Sequence, residues 1–208
     1  MNRSARAVSA LALAAAAWAP ARAQDPRIGN RLDAPSRAAL VALLDSARAQ
    51  GIPVEPLMQK VNQGVAIGAD GPRIVAAVRT LTREMATAHR ALGTVATADE
   101  IQAAASAVHA GVPAVELGKI KKQSGLRRSL TLPFTVLADI VSRGVPVEAG
   151  VNAIRSLVGA GAKDTDINNF QRTVSGDIEK GAPPAAAAET RAKAVPAGKP
   201  DDSAPQQL

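Results

Sequence analysis

Gly51-Ile52-Pro53-Val54-Glu55 returns as Gly144-Val145-Pro146-Val147-Glu148, with a weaker copy, Gly111-Val112-Pro113, between them. Laid without gaps from Gly51 and Gly144, the two longer copies stay in step for roughly thirty residues, about a third of them identical. Val65 falls on Val158, Gly68 on Gly161, Ala69 on Ala162, Ile74 on Ile167, and Arg79-Thr80 on Arg172-Thr173. A left-handed glycine closes a helix, and a proline just beyond it opens another, because its missing N–H would be unbonded in a first turn anyway. The Gly-x-Pro unit therefore reads as a tight corner between helices, and its recurrence predicts a chain made by internal duplication.

The helical period agrees. Asp33-Ala34-Pro35 reads as a start, with Asp33 as N-cap, and Leu40, Leu43, Leu44 and Ala47 recur on one face up to Gly51. Pro53 is expected to open the next helix, with Leu57, Met58, Val61 and Val65 as its inner stripe. Asp70-Gly71-Pro72 opens a long helix carrying Ile74, Ala77, Val78, Leu81 and Met85, ending near Gly93. Thr97-Ala98-Asp99-Glu100 has the form of a capping box, ahead of Ile101, Ala104, Ala105 and Val108. Pro113 opens a short helix with Leu117 and Ile120, and Leu130-Thr131-Leu132-Pro133 echoes Leu32-Asp33-Ala34-Pro35. Stripes at Phe134, Leu137 and Val141, at Val147, Val151, Ile154 and Val158, and at Ile167, Phe170, Val174 and Ile178 complete the set. The expectation is an all-α fold, a compact bundle or short solenoid of about eight helices.

Composition limits what such a fold does. Residues 1–23 have the form of a signal peptide: Arg3 and Arg6, a small and apolar run from Val8 to Trp18, and Ala21-Arg22-Ala23 before Gln24. The mature chain is then expected in the periplasm or secreted, with no transmembrane helix. Residues 24–31 form a short polar lead, 32–180 the helical domain, and 181–208 an Ala/Pro-rich tail expected to be disordered. Past the leader, 22 basic residues stand against 18 acidic ones, a charge of +4. Cysteine is absent, so disulfides and thiolate chemistry are excluded. Beyond Trp18 the aromatics are Phe134 and Phe170, with no tyrosine, which argues against base stacking and hence against nucleic acid as a partner.

Candidate chemistry is sparse. His89 and His109 lack the spacing of a zinc site. Asp164-Thr165-Asp166-Ile167-Asn168 starts like a calcium loop, but Asn169 and Ser175 stand where glycine and glutamate are needed, so a helix start is the better reading. Glu55 and Glu148 invite a paired-carboxylate hypothesis, yet each falls in a first turn, where the helix dipole favours it locally. No Gly-x-Ser-x-Gly elbow occurs. A serine–histidine triad would need His89 or His109, and a hydrolytic enzyme is a disfavoured reading, with nucleic-acid binding more so. No cofactor is expected. The surface most suggestive of function is the basic cluster Lys119, Lys121, Lys122, Arg127 and Arg128, a candidate site for an anionic envelope polymer, lipid or acidic protein.

The Gly-[Ile/Val]-Pro-x-x-x-Leu pattern, the Leu-x-x-Pro starts and the Ala/Pro-rich tail together resemble uncharacterised exported helical proteins of bacteria with high-GC genomes. The likeness covers most of 32–188. It implies a helical fold and an exported location, and no activity. The function expected is therefore non-catalytic binding or scaffolding of a macromolecule in the cell envelope.

Overall fold

A computed structural model describes residues 32–125 and 128–195. Within them lie nine α-helices and no strand: α1 Ala34–Ala49, α2 Glu55–Ala66, α3 Gly71–Leu92, α4 Ala98–His109, α5 Ala114–Ser124, α6 Thr131–Ser142, α7 Val147–Gly159, α8 Asp164–Glu179 and α9 Pro184–Ala194. The fold is all-α, as the periodicity predicts.

The caps form where the sequence places them. Asp33 Oδ1 accepts the Ser36 N–H at 2.9 Å, and Asp70 Oδ1 accepts that of Arg73 at 2.8 Å. Thr97 and Glu100 close a reciprocal capping box. Pro113 and Pro146 stand immediately before α5 and α7. Pro53 differs: α2 begins two residues later, at Glu55, with Val54 as its cap and Pro56 inside the first turn.

The corners share one hydrogen-bond pattern. Gly51, Gly68, Gly111, Gly144, Gly161 and Gly181 all have φ between +69° and +97°. In each case the glycine N–H bonds the carbonyl three residues back, and the next N–H bonds five back: Ile52 to Ala47, Ala69 to Gly64, Val112 to Ala107, Val145 to Ile140, Ala162 to Leu157, Ala182 to Asp177. This is the Schellman closure, which satisfies carbonyls a helix end would leave bare. The residue after the glycine turns inward, and Ile52, Val112, Val145 and Ala162 are buried.

Gly181 corrects the expected boundary. Gly181-Ala182-Pro183 is one more Gly-x-Pro corner, and it turns the chain into α9 rather than into a disordered tail. Ala187, Ala188 and Ala192 of α9 are buried. The helical domain therefore extends beyond residue 180 to Val195; the rest of the expected tail, the polar lead at 24–31 and the signal segment lie outside the described residues.

The helices stack in sequence. α1, α2, α4 and α5 all pack on α3. From there two rows run in parallel, α4 to α6 to α8 and α5 to α7 to α9, each hairpin lying on the one before. That is the logic of a short solenoid. One continuous core links the layers, with Leu40, Leu57, Met85, Leu117, Phe134 and Phe170 fully enclosed. Among the described residues no helix is long and apolar enough to cross a membrane.

Candidate functional site: a groove over α3

The basic cluster is broken up by its own neighbours. Lys121 Nζ lies 3.4 Å from both oxygens of Glu100, and both side chains are largely enclosed. Lys119 bonds Glu116 at 2.7 Å on the same helix. The Arg128 guanidinium lies 3.8 Å from Asp164 Oδ1, mostly covered. Lys122 is exposed, and Arg127 lies outside the described residues. Lys119 and Lys122 thus remain at the surface, whereas Lys121 and Arg128 serve the packing of α4, α5 and α8.

Glu100 is the reason Lys121 turns inward. It is 3 % exposed. Beyond its capping-box bond to the Thr97 N–H, it accepts the Leu130 N–H at 2.9 Å, tying the start of α6 to the start of α4. Burial pushes its carboxyl up, but the Leu130 and Thr97 N–H groups and the Lys121 ammonium outweigh that and hold it below the ordinary value of 4.5. Through Glu100, Lys121 and the Leu130 N–H this cluster ties α4, α5 and the start of α6 together.

The other singled-out residues behave as helix starts or surface groups. Asp166 accepts the Lys163 N–H at 2.9 Å at the head of α8. Glu55 and Glu148 lie in the first turns of α2 and α7. His89 lies in the last turn of α3, beside Gly51. Among the described residues no group of three or more His, Cys, Asp or Glu is placed to hold a metal ion.

Among the described residues a concave surface lies over α3. A groove of about 730 Å³ has α3 as its floor, α2 as one wall, and the C-terminal ends of α4 and α6 as the other. Ala76, Ala77, Thr80 and Leu81 line the floor, with Ala138 of α6 beside them. Ala77 and Leu81 are expected in the core from their period; both are partly buried, Leu81 packs against the core, and Ala76 beside them is exposed. Two smaller hollows, about 360 and 230 Å³, adjoin it and share Lys60. The smaller one reaches Ile67, which is 77 % exposed.

Charge is unevenly spread along this groove. Arg73 of α3 lines the end near the start of that helix, and Lys60, which donates to Gln63 at 3.3 Å, stands along the α2 wall. Glu84, His109 and Asp139 line the far end. Glu84 Oε1 lies 2.8 Å from His109 Nδ1, which joins α3 to α4 through a largely exposed imidazole. Asp139 is held by Arg143 at 3.0 Å and by Gln171 at 2.9 Å. Arg73 and Glu84 are eleven residues apart on α3, about 16 Å at the helical rise.

Sequence reasoning reaches the groove only in part. The stripe Arg73, Ala76, Ala77, Thr80, Leu81 and Glu84 follows the i, i+3, i+4, i+7 pattern, but nothing local says how much of it the neighbouring helices cover. His109 meets Glu84 only through the packing of α4 on α3. No protein family, curated protein or solved structure matches the chain.

Proposed function

We propose that this chain is a non-catalytic helical binding protein of the cell envelope, which holds a segment of another macromolecule in the groove over α3. The observation that carries the reading is the groove itself: apolar surface at Ala76, Ala77 and Leu81 that the surrounding helices cover only in part, with Arg73 toward one end and Glu84 and Asp139 toward the other. Apolar surface of this kind, rimmed by charge, is the usual mark of an interaction site. Its elongated form, continued by the two smaller hollows, suits a stretch of polypeptide better than a small molecule. The leader-like segment with Arg3, Arg6 and Ala21-Arg22-Ala23 supports export, and so an envelope or secreted partner.

The test is a crosslinking pull-down with residues 24–208 from the native envelope, beside an Ala77→Arg variant that fills the groove. A stable partner captured by the parent and lost in Ala77→Arg is expected. Capture that survives Ala77→Arg but disappears with added salt would refute the groove and move the site to Lys119 and Lys122. A monomeric, partnerless protein in both samples would refute the binding reading.

A further inference from the structure

Away from the groove, α3 carries a line of cations. Arg79, Arg83 and Arg90 fall at i, i+4 and i+11, which sets them on one side of the helix over about 16 Å at the helical rise. All three are exposed. Arg83 and Arg90 each donate through Nη2 to the threonine three residues earlier, Thr80 and Thr87, at 3.2 Å. A hydroxyl satisfies a guanidinium N–H but leaves the charge unmatched. Among the described residues no carboxylate pairs with Arg79, Arg83 or Arg90.

α5 continues this face. It packs on α3 so closely that a Cβ on Gly118 would lie 3.3 Å from the Ala91 carbonyl oxygen. Ala91 directly follows Arg90, so the seam between the two helices runs beside the end of the arginine line. Val115 and Lys122 stand three residues before Gly118 and four after it, hence on the side of α5 that borders α3. Both point away from the core: Val115 is 62 % exposed, and Lys122 is exposed with no carboxylate beside it. Val95, just beyond the end of α3, is exposed as well. Carboxylates on the neighbouring elements are engaged elsewhere. Glu84 faces His109, Glu116 takes Lys119, and Asp45 of α1 pairs with Arg48. Asp99, at the head of α4, is exposed beyond the end of α3.

We infer that the face shared by α3 and α5 docks on the anionic headgroups of a phospholipid bilayer, with Arg79, Arg83, Arg90 and Lys122 against the phosphates and Val115 reaching past them. Cations gathered on one face are drawn to an anionic lipid surface, each adding to the attraction. An exposed valine among those cations gains from the boundary between headgroups and acyl chains, and gains nothing from a soluble polyanion. This surface is separate from the groove, and its test stands whether or not a partner occupies the groove.

The experiment is co-sedimentation of residues 24–208 with vesicles of mixed phosphatidylglycerol and phosphatidylcholine, beside vesicles of phosphatidylcholine alone. Binding to the anionic vesicles only is expected, falling as salt is added. The triple variant Arg79→Gln, Arg83→Gln, Arg90→Gln should weaken it at least ~10-fold. Val115→Ser should weaken it about 3-fold. A second triple variant, Lys163→Gln, Arg172→Gln, Lys180→Gln, removes the same charge from exposed positions along α8 and should bind as the parent does. Circular dichroism checks each fold, and Arg83→Gln alone, expected to weaken binding about 3-fold, replaces the arginine triple if that one unfolds. No sedimentation with anionic vesicles, or equal sedimentation with both kinds, overturns the proposal. So does an equal loss in the two triple variants, since net charge alone would then be acting. Binding to soluble dextran sulfate without binding to vesicles overturns it in favour of an acidic polymer.

Discussion

Replacing Glu100 tests whether the polar cluster between α4, α5 and α6 holds the middle of the stack together. In Glu100→Ala the Leu130 and Thr97 N–H groups lose their acceptor, and the Lys121 ammonium, with 15 % of its side chain exposed, loses its counter-charge. Removing one member of an enclosed ion pair costs about 3–5 kcal/mol, because the other is left unpaired. Glu100→Gln keeps a carbonyl oxygen for one N–H but removes the charge, so about 2 kcal/mol is expected. For a domain of this size each kcal/mol lowers Tm by about 2–4 °C, so Glu100→Ala should melt roughly 10 °C below the parent. The only tryptophan is Trp18 and there is no tyrosine, so the assay is urea and thermal unfolding followed by far-UV circular dichroism. A cycle with Lys121→Met isolates the pair, with an expected coupling of about 1–3 kcal/mol. If Glu100→Ala and Glu100→Gln both fall within about 0.5 kcal/mol of the parent, the cluster is not holding the helices and the reasoning fails.

Because the folded state holds the Glu100 carboxyl below its ordinary 4.5, the stability it contributes is full above that value and is lost as pH falls through the lower folded one; unfolding midpoints from about pH 6 to about pH 3 should decline, and less steeply in Glu100→Gln. Gly144 has φ +94°, so Gly144→Ala forces a side chain into a conformation costing about 1–2 kcal/mol, readable as a lower urea midpoint at unchanged m. Arg191→Ala removes the paired bonds to Asp177 and should speed amide exchange along 184–194 while leaving α4 and α6 as protected as before; uniform protection would mean that α9 is held by its alanines alone.

Local rules that act within one turn were visible in the sequence. Asp33, Asp70 and the Thr97–Glu100 box declare themselves because a cap and its N–H donors are three residues apart, and left-handed glycine fixes each corner without help from elsewhere. The boundary at residue 180 failed for a related reason. Pro183, Pro184 and the alanine run suggested a loose tail, whereas Gly181-Ala182-Pro183 repeats the same corner, and the alanines are small because they lie against α7 and α8. The candidate site was less legible. Lys121 looks like a surface cation until Glu100, twenty-one residues earlier, is found enclosed beside it. Glu84 and His109 are joined by the way α4 lies on α3, and the partial cover of Ala77 and Leu81 depends on how the neighbouring helices lie, which a periodic pattern cannot encode.

The six identical corners imply a particular way for this molecule to come apart. A globe with one centre fails all at once, whereas a row of units that touch only their neighbours can lose its last member and keep the rest. Among the described residues the last member, the α8–α9 hairpin, is joined through its own glycine corner and packs on α6 and α7. A protease would thus meet a chain that shortens by whole hairpins, each cut leaving a new end already closed by a glycine.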